Sequence, residues 1–258
     1  MKSSELNYRL KTFGSRAIKA ARLLQSERWR SALRQGVAAT VEHDRLPLDR
    51  DYRTIIDVGA NRGQFALYAR ERFPKAQIYT IEPLSGPRAS IELLFGKDEQ
   101  VEILDFAAGA AKRSATINIT QDDDSSSLLQ PTSLQTERFP HTGVESTEPV
   151  AVRSLDSALA SLPLEGPVLL KIDVQGFELE VLKGARKLLS QVDTVLAECS
   201  FVEFYEGQAM FDDIYAFLAG KGFRLSGGAL SAVSASRWEQ GDFVFKRPAG
   251  DRREIVAA

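Results

Sequence analysis

The chain has 258 residues, 43% hydrophobic and 26% charged, with a formal net charge of -2 and a single cysteine, Cys199. That balance excludes a disordered, collagen-like or disulfide-dense chain, and a lone cysteine forms neither an internal disulfide nor a CxxC metal clip. With no signal-peptide pattern at the start and no apolar run near the roughly 20 residues that span a bilayer, the expectation is a soluble, cytoplasmic protein of one large domain or two small ones.

Charge is unevenly spread. Residues 1–36 carry nine basic and two acidic side chains, a net of +7, which leaves -9 for the rest. Leu6, Leu10, Phe13, Ala17, Ala21 and Leu24 recur at spacings of three and four, so this head reads as a basic amphipathic helix. Such a helix docks its stripe on the body or on a second subunit, or lies on an anionic surface at the inner face of a membrane. An acidic body without a recognised binding motif argues against a nucleic-acid partner. The segment 38–52, polar and containing Pro47, reads as a connector. The expected organisation is a head and connector over 1–52, a main domain over 53–248 and a polar tail over 249–258.

From Thr54 the pattern alternates. Strands are predicted at 54–58, 78–82, 101–104, 168–173 and 194–198, with closing strands near Phe223 and Phe243. Helices are predicted at 64–73, 88–95, 178–189 and 211–219. Strands separated by helical stretches imply right-handed crossovers, hence an α/β fold with a doubly wound, mostly parallel sheet. Residues 121–149, rich in Ser, Thr, Asp, Pro and Gly, interrupt the rhythm and read as a lid or substrate-facing loop.

The first strand runs into Asp57-Val58-Gly59-Ala60-Asn61-Arg62-Gly63. Glycines between a strand and a helix permit a tight turn and close backbone approach to a ligand, beside the free N–H groups of a helix start. The spacing is G-x-x-x-G, not the G-x-G-x-x-G of a nicotinamide site, and no Lys-Ser/Thr pair follows to make a Walker loop. The turn better suits a ligand with an amino-acid moiety, such as S-adenosylmethionine, with Asp57 near its ammonium. Glu82 ends the second strand, where an acid can accept hydrogen bonds from both ribose hydroxyls. After the third strand, Asp105 stands where it could meet the adenine edge, and small residues such as Ala107 leave room for the ring.

These stretches, together with Lys171-Ile172-Asp173-Val174-Gln175-Gly176-Phe177-Glu178 and the later Glu198-Cys199, resemble the FkbM-type S-adenosylmethionine-dependent methyltransferases over about 54–245. The resemblance implies a class I methyltransferase (Rossmann-like) fold with a seven-stranded sheet and an extra N-terminal helix. It also implies methylation of a hydroxyl on a saccharide, natural-product or glycolipid acceptor. Asp57, Gly59, Asn61, Gly63, Glu82, Asp105 and Ala107 would hold the cofactor. Two positions depart from the family's usual pattern, Asp105 where Asn is common and Gln175 where Glu is common.

Asp173 falls at the carboxyl edge of the fourth strand, where open α/β sheets bind ligands, and is the first candidate to take the hydroxyl proton. His141, in the expected lid, is the second, and His43 in the connector the third. Lys171 shares the strand face of Asp173 and would pair with it. Asp173, Glu178 and Glu198 could instead converge on Mg²⁺, although their spacing does not single out a metal. The run Asp122-Asp123-Asp124 reads as a solvated loop. Cys199 reads as core, and Phe201, Phe204 and Tyr205 as a pocket wall. Two alternatives stand beside the enzyme: a non-catalytic nucleoside-binding scaffold tethered by its basic helix, and a nicotinamide-dependent reductase or epimerase.

Overall fold

The computed structural model describes residues 19–48, 51–234 and 237–248. The body is built on a seven-stranded sheet in the order β3-β2-β1-β7-β8-β10-β9. Its strands are β1 (Thr54–Val58), β2 (Gln77–Ile81), β3 (Val101–Leu104), β7 (Val168–Ile172), β8 (Thr194–Ser200), β9 (Arg224–Val233) and β10 (Trp238–Lys246). All neighbours from β3 through β8 pair in parallel; β10 runs antiparallel to both β8 and β9. This is the doubly wound, mostly parallel sheet expected from the sequence. Its crossover helices include α2 (Gln64–Arg72), α3 (Ser85–Phe95), α6 (Glu178–Lys183) and α7 (Phe211–Gly220).

Every residue of β1 and β7 is buried, because both sheet faces are covered. The period of two divides their side chains. Ile56, Val58, Leu170 and Ile172 enter one core, and Ile55 and Leu169 the opposite one. That second core also takes Leu23, Trp29, Ala32, Val37, Ala39, Val41, Leu46, Leu48 and Tyr52. The described N-terminal residues, from 19 on, therefore pack against the sheet and α2 as part of the body.

Two expectations change here. The head is not one helix: the chain turns at Leu24 and Gln25, and a separate helix α1 (Glu27–Arg34) starts at Ser26, whose side chain accepts the N–H of Trp29. The break shifts the buried face, so Leu24 is 58% exposed and Ala21 exposed, while Leu23 is buried. Trp29 donates its indole N–H to Leu67 O and fixes α1 to α2. Leu6, Leu10, Phe13 and Ala17 of the expected stripe lie outside the described residues.

The stretch 121–149 is likewise not one loop. A second sheet, ordered β4-β6-β5, joins β4 (Ala107–Ala108), β5 (Arg113–Thr120) and β6 (Val144–Arg153). Between β5 and β6 lie a 3₁₀ turn over Asp123–Ser125 and a short helix α4 (Ser133–Arg138); α5 (Leu155–Ala158) follows β6. The first six residues of β6 are largely exposed, so no apolar alternation marks that half of the strand in the sequence. Among the described residues no helix is long and apolar enough to cross a membrane.

Candidate active site

The carboxyl ends of β3, β2, β1 and β7 open onto one cleft. Its floor, read across the sheet, is Phe106 to Ala108 after β3, Glu82 to Leu84 after β2, Gly59 to Asn61 after β1 and Asp173 to Gln175 after β7. Ile117 of β5, Ser126 to Leu128 and the acids Asp123 and Asp124 form one wall; Thr40, His43, Gln64 and Phe65 form another. The cavity measures about 230 Å³, many times what one ordered water needs, so it takes a small molecule.

Glu82 anchors the centre. It is 5% exposed, and its Oε2 accepts the N–H of Asn61 at 2.8 Å while Oε1 accepts that of Leu84 at 2.9 Å. Each carboxylate oxygen has a second lone-pair direction, which leaves capacity for a ligand hydroxyl. Burial pushes its carboxyl up to about 7, against the pull of the two backbone donors. Leu84, Phe106, Ala107, Ile117 and Leu128 form an apolar slot beside this carboxylate, where a planar ring could be held.

The two glycines of the turn serve packing. Gly59 has φ +75°, and a Cβ there would sit 1.8 Å from Asp173 O, so this position closes the β1 turn against the exit of β7. Gly63, at φ +89°, caps α2, and a Cβ there would press on the ring of Phe95 at 3.2 Å. Asn61 itself is left-handed, at φ +46°.

A row of charges lies on one face of the sheet. Asp57 and Lys171 are register partners across β1 and β7, as are Glu198 and Asp242 across β8 and β10. Lys171 Nζ is 3.1 Å from Asp57 Oδ1 and 3.7 Å from Asp173 Oδ2, and donates to Gly59 O at 2.9 Å. Burial works against the ammonium, but the two aspartates outweigh it and hold Lys171 protonated above the ordinary lysine range. Asp57 is fully buried and is not a cleft residue; its ion pair with Lys171 supports the floor from beneath.

Gln175 ties the β7 end of the cleft together. Its left-handed backbone (φ +54°) turns the side chain so that Nε2 donates to Asp173 Oδ1 at 2.8 Å and to Glu198 Oε2 at 3.0 Å. The Tyr205 hydroxyl lies 2.9 Å from Gln175 Oε1. Burial, then the charges of Asp173 and Asp242, raise Glu198 well above the carboxylate range. The same burial takes Asp242 to about 7.

Of the nine residues expected in the site, the cleft is lined by Gly59, Asn61, Glu82, Ala107 and Asp173. Asp57 and Gly63 lie behind it. Asp105 turns away to pair with Arg88 at 2.6 Å, its side chain 65% exposed. His141 is exposed and bonded to Gln121, outside the cleft lining. Glu178 does not converge with Asp173 and Glu198, because its Oε1 accepts the N–H groups of Val174 and Gly176. Among the described residues no group of three or more His, Cys, Asp or Glu side chains is arranged to hold a metal ion. The acidic run is not simply solvated: Asp123 binds the Arg62 guanidinium at 2.7 Å and lies 3.4 Å from Asn61 Nδ2. Cys199 is buried, as expected of a core residue. Phe201, Phe204 and Tyr205 pack in cores and do not line the cleft.

Comparison with known proteins gives these features a family. The methyltransferase FkbM domain matches residues 57–225. Over 172 residues the chain is 28% identical to the 2-O-methyltransferase NoeI of Sinorhizobium fredii, covering 62% of this chain and 69% of that protein. It is also 28% identical over 201 residues to the methyltransferase sdnD of Sordaria araneosa, covering 67% and 74% respectively. A methyltransferase FkbM structure from Methylobacillus flagellatus KT shares the fold at TM-score 0.51 and 16% identity. The match covers 78% of this chain and 46% of that one, so the chain spans less than half the length of the solved protein. More than half of the present sequence lies within the matched domain, and the chain belongs to the FkbM family of S-adenosylmethionine-dependent methyltransferases, with their class I fold.

Proposed function

We propose that the protein transfers the methyl group of S-adenosylmethionine to a hydroxyl of a saccharide or a related natural-product or glycolipid acceptor. The observation that carries this reading is the cleft itself: a buried carboxylate, Glu82, beside an apolar slot, with a second carboxylate, Asp173, farther along the same floor. The likeness to a protein named a 2-O-methyltransferase supports oxygen as the methylated atom.

When bound, the cofactor supplies a methyl group on a sulfonium, open to in-line displacement. Glu82 receives the ribose hydroxyls, with Asn61 held against it; Ala107 and the slot around it receive the base. Gly59 and Gly63 shape the turn, and Asp57 fixes Lys171 below it. Asp173, with one oxygen held by Gln175 and the other near Lys171, takes the proton of the acceptor hydroxyl. Holding the reactants in attack geometry supplies about 7–11 kcal/mol of the barrier. A positioned base adds about 3–5 kcal/mol, so alignment is the larger share.

The test is incubation of the full chain with methyl-labelled S-adenosylmethionine and a panel of saccharides and glycolipids. Label on a sugar hydroxyl is the expected result. Calorimetric binding of the cofactor with no acceptor labelled would favour the scaffold reading instead.

A further inference from the structure

Two polar side chains in the cleft wall have buried atoms without hydrogen-bond partners, and both come from chain before the matched family domain. Thr40 Oγ1 and His43 Nδ1 are shielded from solvent and unbonded. His43 is 7% exposed, its ring packed edge-on against Phe65 at 5.2 Å. The backbone N–H of Thr40 donates to Gln64 O at 3.3 Å, which ties the segment to the start of α2. Leaving such groups buried and unpaired costs about 1–3 kcal/mol each, so each asks for an explanation in a folded protein.

Their position supplies one. The apolar slot and Glu82 occupy the β3–β2 side of the cleft. Thr40 is tied to Gln64, just past the β1 turn, and His43 packs on Phe65 and faces Asp242 of β10, so both stand at the opposite end. A ligand with its base in the slot and its ribose on Glu82 directs its remaining substituent to that end. On S-adenosylmethionine that substituent is an amino acid, with one ammonium and one carboxylate. The Nε2 of His43 faces Asp242 Oδ2 at 3.9 Å, which favours the proton on Nε2 and leaves Nδ1 a bare acceptor. Burial keeps the ring neutral, its pKa lowered to about 4. A neutral acceptor suits an ammonium, and a hydroxyl suits a carboxylate.

We infer that Thr40 and His43 complete the cofactor site by binding the amino-acid end of the methyl donor, His43 Nδ1 accepting from the ammonium and Thr40 Oγ1 donating to the carboxylate. The inference rests on the reading of the cleft as the donor site, and the test separates the two.

The full chain is titrated calorimetrically with S-adenosylhomocysteine and with 5′-methylthioadenosine, which has the base, ribose and thioether but no amino acid. The unaltered protein binds the first more tightly. His43→Ala and Thr40→Val each lower affinity for S-adenosylhomocysteine about tenfold or more, the size of one hydrogen bond to a charged group, and leave 5′-methylthioadenosine binding unchanged. Thr40→Ser, which keeps the hydroxyl, and His43→Asn, which offers an acceptor near Nδ1, retain most of the difference. Melting curves without ligand show that the variants fold. Equal weakening of both ligands, or no weakening of either, overturns the inference while the donor reading stands. If the unaltered protein binds neither ligand, the donor reading falls and this inference with it.

Discussion

Glu82 and Asp173 are both carboxylates on the cleft floor, yet their surroundings give them different tests. Burial holds the Glu82 carboxyl near 7, and on the proposed reading a ribose hydroxyl binds the ionised form. Affinity for S-adenosylhomocysteine should therefore rise as pH passes through about 7 and level off above it. Glu82→Gln should flatten that profile and Glu82→Ala should weaken binding at every pH; a flat profile in the unaltered protein removes Glu82 from the site. Asp173→Asn, by contrast, should reduce turnover about 10²–10⁴-fold while cofactor affinity holds, and equal activity would dismiss it as the base. Glu178 tests the structural use of a buried acid. Its carboxyl is raised to about 7 by burial, so the folded state holds a proton that the unfolded chain releases near 4.5. That difference makes the group cost about 3 kcal/mol of stability as pH rises from 4.5 through 7. Because one oxygen takes both backbone bonds, Glu178→Gln keeps them and sheds the charge. The melting temperature at pH 8 should hold or rise in that variant and fall in Glu178→Ala.

At the level of elements, α1 depends on Ser26 for its start and on Trp29 for its hold on α2. Ser26→Ala should cost about 1 kcal/mol, the usual worth of such a cap. Trp29→Ala should cost about 3–5 kcal/mol through the lost core volume. Urea midpoints measure both, and equal small losses would show that the helix is loosely docked. The same region shows what a sequence discloses and what it conceals. The strands that carry Gly59, Glu82 and Asp173 stand out as short apolar runs ending in turn residues, because burial on both faces leaves only one solution. Of the wall made by Thr40 and His43, the sequence offers only His43, as a third candidate base, because a stretch without helical period reads as a connector and gives Thr40 no signal. The signal of the stretch itself is alternation: Val37, Ala39, Val41 and His43 are buried in turn. Asp123 was hidden for another reason, its partner Arg62 lying 61 residues away. The turn at Leu24 and Gln25 was foreshadowed by Ser26, whose capping role competes with a continuous stripe.

For the molecule as a whole, the described part of the head shares one core with the body, so its loss must be felt globally. Deleting residues 1–36 removes Leu23, Trp29 and Ala32 from that core and should lower the urea midpoint markedly; an unchanged midpoint would mark the segment as a separate unit. The placement of β10 has a temporal consequence. It follows every other strand in chain order among the described residues, yet it lies inside the sheet, between β8 and β9. During synthesis β8 therefore waits with an unmatched edge until the chain through Lys246 has emerged, since its neighbour follows every other described strand. Asp242, the residue that His43 faces, rides on that strand. A chain cut before Trp238 would thus have the turn after β1 but leave His43 without the carboxyl it faces.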